Sequence, residues 1–154
     1  MKNAIILLVL SVTMTMNAQW TKNFYVDDFG DATTDSYESF ITGGTFSNSA
    51  TQNSKASYKF IRNDDSIVIN VYRYGSSLAT STKATFEDLK VKQPDGTIVV
   101  LKSVFFSKGG YLYFNKEGFV EFNNVISTKG AYVIIFDRTS KYSTSSYKIK
   151  FTIK

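Results

Sequence analysis

The chain has 154 residues with no Cys and no His, and it carries 18 Lys and Arg against 13 Asp and Glu, a formal net charge of +5. The lack of Cys excludes a disulfide framework and a thiolate metal site. The lack of His removes the most common general base and transition-metal ligand, so any metal site must use oxygen ligands, which favours Ca²⁺ or Mg²⁺ over Zn²⁺.

The N-terminus has the pattern of a signal peptide. Lys2 supplies the positive charge, and the apolar run Ala4–Val12 is about half of the roughly 20 residues that a transmembrane helix needs. Cleavage is predicted after Ala18, which leaves a single domain over residues 19–154. We expect an exported protein, periplasmic or extracellular, that is not transmembrane after removal of the signal.

The basic residues are spread along the chain without a dense block, as is typical of a solvated surface. The alternative is attraction to anionic glycans or membranes outside the cell. An exported protein rarely meets nucleic acid, so the partners expected are a protein or a surface glycan.

The first predicted strand, Trp20–Val26, runs into an acidic loop, Tyr25–Asp35. Around a tight turn at Gly30, its carboxylates could converge on Ca²⁺, although their order does not match the EF-hand loop. The better-supported interpretation is a turn that wraps across a sheet edge, with Asp side chains capping backbone N–H groups. The candidate metal ligands are Asp27, Asp28, Asp31 and Asp35.

The hydroxyl-rich run Gly43–Ser54 is predicted to be an edge strand with its polar side in solvent. No His is present to activate its serines, and Ser47 and Ser49 lack a G-x-S-x-G or S-x-x-K context. An edge strand could alternatively accept a strand from a partner.

The next strand, Ser66–Tyr74, leads into the longest predicted loop, Tyr72–Lys83. Binding residues favour loops, and this one offers an anion contact that includes Lys83. The candidate ligand-binding residues are Tyr72, Arg73 and Tyr74.

The turn Pro94–Gly96 separates two further strands, and the last two predicted strands are Ala131–Asp137 and Ser146–Lys154. Ala131–Asp137 is apolar on both faces, which predicts a central strand that is covered on both sides or lies at an oligomer contact. The predicted core residues are Ile69, Val133, Ile135, Ile149 and Phe151.

About nine or ten short strands with regular turns, and no sustained helical stripe, predict an all-β fold, an antiparallel β-sandwich. A membrane barrel has a similar alternation of residues. The terminal Lys and the doubly apolar Ala131–Phe136 argue against that alternative.

The sequence favours a non-enzymatic module with a binding or structural role, and no cofactor is expected except Ca²⁺. One alternative is a carbohydrate- or Ca²⁺-linked binding module, with a sugar-stacking platform drawn from exposed aromatic residues. The other is a carboxylate-dependent hydrolase. The aromatic candidates are Trp20, Tyr25, Tyr72, Tyr74, Tyr111, Tyr113 and Tyr142, and the Glu residues are Glu38, Glu87, Glu117 and Glu121.

Two stretches that follow Trp20, YVDDFGDATTDSY (Tyr25–Tyr37) and GTFSNSATQNS (Gly44–Ser54), carry a resemblance. They resemble a group of small secreted proteins of Bacteroidota-type bacteria with a W…(F/Y)VDEFGD-x-T…GTFSNSAT pattern. The chain departs from that pattern at Asp28, where the group often has Glu, and at Ala32, where Pro is common. The resemblance covers under half of the mature chain, and it implies an exported β fold without implying an activity.

Overall fold

The computed structural model describes residues 17–139 and 143–154. Residues 1–16 of the predicted signal peptide lie outside the described residues. The described residues form eleven strands and one helix: β1 (Asn17–Ala18), β2 (Thr21–Val26), β3 (Ala32–Asn48), β4 (Thr51–Arg62), β5 (Ile67–Arg73), β6 (Ser77–Leu78), β7 (Thr85–Lys92), β8 (Ile98–Phe106), β9 (Tyr111–Phe114), α1 (Lys116–Val125), β10 (Gly130–Thr139) and β11 (Thr144–Ile153).

Eight antiparallel strands close into a barrel in the order β3-β4-β5-β9-β8-β7-β10-β11. The closing pair is β3 with β11, which sets Gly44 opposite Ile149 and Phe46 opposite Tyr147. The all-β prediction is therefore confirmed. The prediction of a sandwich is wrong, because a sandwich keeps two separate sheets and here the outermost strands of one sheet pair with each other.

Side chains fill the inside of the barrel, as expected for eight strands. Alternate residues of each strand point inward, and many of those that do so are aromatic. The largest fully buried side chains include Phe46, Tyr58, Phe60, Phe106, Tyr132, Phe136 and Tyr147. The fold is thus held by a packed apolar interior together with its continuous hydrogen-bonded ladder.

Strand β10 is central, between β7 and β11, as predicted. The residues that point into the barrel, however, are the alternate set to the predicted core residues Val133 and Ile135. Tyr132, Ile134 and Phe136 are buried, whereas Val133 is half-buried and Ile135 is 39% exposed. The outer face of β10 is therefore at most partly covered by the described residues, and the predicted full burial of Val133 and Ile135 is wrong. The burial predicted for the other core residues is confirmed for Ile69, Ile149 and Phe151.

The run Gly43–Ser54 is not an edge strand, and this prediction is also wrong. Its first half completes β3, which pairs with β4 on one side and with β11 on the other. Its second half begins β4 after a turn at Ser49 and Ala50. Polar side chains near the hairpin accept hydrogen bonds from backbone N–H groups: Asn48 Oδ1 accepts from Ala50 and Thr51, and Ser47 Oγ accepts from Asn53.

Helix α1, which the sequence did not predict, packs over one end of the barrel. Phe122 is fully buried, with its ring centre 4.9 Å from that of Phe114 and 6.4 Å from that of Phe60. Asn115 caps the helix by accepting a hydrogen bond from the N–H of Gly118 at 3.0 Å. In the described part of the chain, no helix has the length and apolar character that crossing a membrane requires.

Candidate functional site

A groove of about 410 Å³ opens on the outer surface where β8, β9 and the start of α1 meet. This volume lies within the range of small-molecule binding sites. The groove is lined by Phe86, Leu101, Lys102, Ser103, Val104, Phe105, Tyr113, Phe114, Asn115, Gly118 and Glu121.

A β-bulge in β8 lies at the groove. Leu101 pairs with Leu89 and Val104 pairs with Glu87, so Lys102 and Ser103 together oppose the single residue Asp88. Ser103 has a φ of +52°, a conformation that costs energy for a residue with a side chain. Bulges and strained residues of this kind are enriched near functional sites.

Asp88 holds the bulge in place. Its carboxylate accepts one hydrogen bond from Lys102 Nζ at 2.6 Å and another from the backbone N–H of Ser103 at 3.2 Å. The hydrogen bond from Lys102, followed by that from Ser103, holds the pKa of Asp88 below its ordinary value. The acidic group therefore stays ionised and keeps its two donors.

Strand β9 has four residues, so it pairs with β8 only through Phe105 and Phe106 of β8. The groove lies beyond the end of this short pairing, over the side of the barrel core. Three buried residues, Leu101, Val104 and Phe114, form its apolar floor.

Three aromatic rings stand side by side along the groove, because strand register places them there. Phe86 of β7 pairs with Phe105 of β8, and Phe105 pairs with Tyr113 of β9. With strands about 4.8 Å apart, the row is roughly 10 Å long. Phe86 is 69% exposed and Tyr113 is 39% exposed, so the row can stack against the apolar face of a ring-shaped ligand.

Hydrogen-bonding groups accompany the aromatic row. Lys102 and the amide nitrogen of Asn115 are donors, the hydroxyl of Ser103 can donate or accept, and Glu121 is an acceptor. Of the described lining residues, Glu121 alone carries a carboxylate, whereas the common mechanisms of glycoside hydrolysis use a pair. The arrangement suits the binding of a hydroxyl-rich molecule.

The acidic loop lies far along the chain from these residues, at the tip of the β2–β3 hairpin. The Oδ1 atom of Asp27 accepts hydrogen bonds from the N–H groups of Phe29 at 2.9 Å and Asp31 at 3.0 Å. Capping is therefore confirmed for Asp27. The predicted wrapping across a sheet edge is wrong, because β3 begins at Ala32 and the segment is a short turn between β2 and β3. Asp35 lies within that strand.

No group of three or more acidic side chains in the described part of the chain is arranged to hold a metal ion. Asp27, Asp28, Asp31 and Asp35 are thus not brought together in this structure, since one caps the turn and another belongs to β3. Ca²⁺ binding by this loop stays an untested alternative to the turn.

The predicted ligand residues lie at the end of the barrel that is opposite α1. We call this end the barrel mouth and define it by Phe46, Arg73, Glu87, Arg138 and Tyr147. Arg73 donates from both Nε and Nη2 to the hydroxyl of Tyr147. Tyr74 leaves β5 with a φ of +52° and packs edge-on against Phe46, with ring centres 5.0 Å apart. Tyr72 lies within β5 and is half-buried.

Other predicted aromatic residues are dispersed. Trp20 packs edge-on against Phe40 beneath the guanidinium of Arg62, and Tyr25 packs against Tyr37. Tyr142 lies outside the described residues. Tyr113 is the predicted aromatic residue that lines the groove. Phe86 and Phe105 were missed, although both stand in strands that flank the predicted Pro94–Gly96 turn.

The four Glu residues have separate environments. Glu38 forms an ion pair with Arg62 at 2.6 Å, Glu87 lies at the barrel mouth, Glu117 is in the first turn of α1, and Glu121 lines the groove.

Comparison of the chain with known protein families, with curated proteins and with solved structures finds no match.

Proposed function

We propose that the protein is an exported, non-enzymatic binding module that takes a carbohydrate in the groove between β8, β9 and α1. The observation that carries this proposal is the row Phe86, Phe105 and Tyr113, set in register across three adjacent strands. Export is supported by the signal-peptide pattern of the N-terminus.

The composition of the groove favours a neutral saccharide over a purely apolar ligand. A sugar ring has an apolar face that stacks on an aromatic side chain and a rim of hydroxyl groups that need donors and acceptors. The groove supplies both sets of groups within one cavity. Asp88 accepts hydrogen bonds from Lys102 Nζ and the Ser103 N–H, and these contacts support a site that needs little rearrangement on binding.

The test is isothermal titration of the mature protein with soluble neutral oligosaccharides. Phe86→Ala and Tyr113→Ala remove rings of the row, and each should weaken binding at least about tenfold. Phe29→Ala is the matched control, because Phe29 is 92% exposed at the hairpin tip and outside the groove. Binding of no oligosaccharide, or equal loss in the control, would refute the proposal.

A further inference from the structure

The β2–β3 hairpin projects beyond the barrel as a two-stranded arm, which we define as residues 23–37. Strand β3 starts to pair with β4 at Glu38, so among the described strands residues 32–37 have β2 as their neighbour, and β2 pairs with β3 alone. Strand β3 lies four positions from β8 in the ring of eight strands. The arm and the groove are therefore on opposite sides of the barrel.

Exposed apolar side chains cluster on the arm. Phe24 is 49% exposed, Tyr25 45%, Val26 65% and Phe29 92%. An isolated two-stranded hairpin is marginally stable in water, and an unpaired strand edge is a template for pairing with another chain. The free edge of β2 is therefore a surface on which a further strand can be added.

The free edge of β2 carries the backbone groups of alternate residues. The carbonyl of Tyr25 accepts a hydrogen bond from the hydroxyl of Thr33 at 3.1 Å, so the backbone of Tyr25 faces β3. Because this direction alternates along an antiparallel strand, the N–H and C=O groups of Phe24 and Val26 point away from β3. These groups are free to bond with another strand.

The side chains of β2 are self-complementary in one antiparallel register, in which Tyr25 lies opposite Tyr25 of a second copy. In this register Phe24 lies opposite Val26 of the second copy, and their outward backbone groups form a hydrogen-bonded pair. Lys22 then lies opposite Asp28 of the second copy. Aromatic, apolar and opposite-charge pairs across strands are each stabilising, and the two-fold symmetry repeats each unlike pair.

Lys22 and Asp28 are available for this pair. Lys22 lies opposite Glu38 within its own copy, but the Glu38 carboxylate is paired with Arg62 at 2.6 Å. The Nζ atom of Lys22 lies 5.2 Å from the centre of the Phe24 ring. Neither Lys22 nor Asp28 belongs to an ion pair among the described residues.

The distribution of charge also favours an antiparallel pair of arms. The arm carries four Asp and no basic residue, so the net positive charge of the chain lies outside it. Antiparallel pairing puts each acidic tip at the base of the other arm, beside Lys22 of that copy. The two tips are separated by about six residues of strand, roughly 20 Å, which exceeds the Debye length of about 8 Å at physiological ionic strength.

We infer that the protein forms a dimer through its arms, in which β2 pairs with β2 of a second copy about a two-fold axis at Tyr25. The two arms then make one four-stranded sheet between the barrels. Such an isologous contact closes on itself, so the free edges are covered and no further copies are added. The groove stays open in this dimer, and the inference does not depend on the proposed carbohydrate binding.

The absence of Cys from the chain allows a direct test of the register. Tyr25→Cys puts two thiols at the axis, where the Cα spacing of about 4.5 Å permits a disulfide, so oxidation in air should give a covalent dimer. Phe29→Cys is the matched control, because its thiol is more exposed but lies on the order of 20 Å from its counterpart. Equal cross-linking of both variants, or none in Tyr25→Cys, overturns the inference.

Charge reversal tests the same interface without a covalent link. Sedimentation equilibrium of the mature protein from about 5 µM to 1 mM should show a monomer–dimer equilibrium. Lys22→Glu should weaken dimerisation at least about fivefold, because it sets like charges opposite each other twice. Adding Asp28→Lys to Lys22→Glu restores the pair with reversed signs and should recover dimerisation.

Lys116→Glu is the matched control for this series. It makes the same change of charge at the exposed start of α1, outside the arm, and should leave dimerisation unchanged. A wild-type protein that stays monomeric throughout the range contradicts the inference. So does a double variant that dimerises no better than Lys22→Glu, or an equal loss in Lys116→Glu.

Discussion

Burial and the neighbours of Glu87 have opposite effects on the pKa of its carboxyl group. Desolvation is the largest influence on it and raises its pKa above the ordinary value, while the hydrogen bond from Thr85 at 2.6 Å and the attraction of Arg138 oppose that shift. The net result is a carboxyl group that is harder to ionise in the folded protein than in the unfolded chain. Its ionisation therefore works against folding.

The first prediction is that Glu87→Gln gains stability relative to wild type as the pH rises. Because the folded pKa is raised, the contribution of Glu87 to stability is present below its ordinary value of 4.5 and is lost as the pH rises through the folded pKa. Gln cannot ionise, so it escapes this loss. Urea midpoints of both proteins at about pH 4 and pH 7 measure the difference.

Glu117→Gln on α1 measures the effect of the amide replacement itself, outside the mouth. The difference in urea midpoint between Glu87→Gln and wild type should grow with pH in favour of the variant. A difference that is constant with pH, or that changes in favour of wild type, would contradict a raised pKa of Glu87.

At the scale of elements, the β2–β3 hairpin depends on a turn closed by its own residues. The N–H of Asp27 donates to the carbonyl of Asp31 at 2.9 Å, and the Asp27 carboxylate accepts from Phe29 and Asp31. Gly30, with a φ of +90°, supplies the left-handed position that the turn needs. The turn is thus closed by hydrogen bonds among its own residues.

The second prediction is that Asp27→Ala lowers the free energy of unfolding by about 0.5–1.5 kcal/mol, the net worth of its hydrogen bonds in an exposed turn. Asp28→Ala changes the neighbouring carboxylate of the same turn and should remain within about 0.5 kcal/mol of wild type. Chemical denaturation compares the three proteins. Equal losses in both variants would mean that Asp27 is not the capping residue.

The third prediction is that Ca²⁺ does not stabilise the domain. Removal of Ca²⁺ with a chelator should leave the thermal midpoint unchanged within a degree or two. A fall of about 5 °C or more, on the order of 1 kcal/mol for a domain of this size, would restore the metal interpretation of the acidic loop.

The fourth prediction concerns α1, which covers the end of the barrel and buries Phe122 more deeply than its other core residue, Val125. Phe122→Ala should cost about 3–5 kcal/mol, because the ring contacts Phe60 and Phe114 and would leave a cavity. Phe29→Ala, with the same chemical change at a 92% exposed position, should cost little. Urea unfolding measures both, and similar values for the two would show that the helix does not pack as described.

At the scale of the whole molecule, the barrel closes where β3 lies against β11 without a side chain between them. A Cβ atom on Gly44 would lie 2.0 Å from the carbonyl oxygen of Lys148 and 2.8 Å from Cε2 of Tyr58. Thr42 strengthens the same seam by donating from its hydroxyl to the carbonyl of Lys150 at 2.6 Å. Closure therefore depends on a backbone position that only Gly allows.

The fifth prediction follows from this contact. Gly44→Ala should lower the free energy of unfolding by about 3 kcal/mol or abolish folding, since the backbone oxygen of Lys148 cannot move aside without breaking the ladder. Gly118→Ala, inside α1, should be neutral or stabilising, because Ala favours helix and its Cβ would meet side-chain atoms alone, Asn115 Oδ1 at 3.3 Å and Phe114 at 3.6 Å. Denaturant midpoints should fall for Gly44→Ala and should not fall for Gly118→Ala.

The strands could be predicted because their alternation is local, as in β11, where Tyr147, Ile149 and Phe151 are all buried. Barrel closure could not, because it pairs Gly44 with Ile149, about 100 residues away. The burial of Ile135 was predicted wrongly because both faces of its strand carry apolar residues, so the sequence does not show which face points inward. The groove is lined in part by Lys102 and Ser103, whose bulge is hidden in sequence by an almost continuous apolar run.

The closing pair also sets an order of events during folding. Strand β11 is the last of the eight to be synthesised, and β3 is the first. Until β11 emerges, β3 and β10 each expose an unpaired edge, which can recruit strands from other chains. A nascent chain can therefore form its hairpins early but must wait for β11 to complete the ring, and during that interval it depends on slow, long-range pairing.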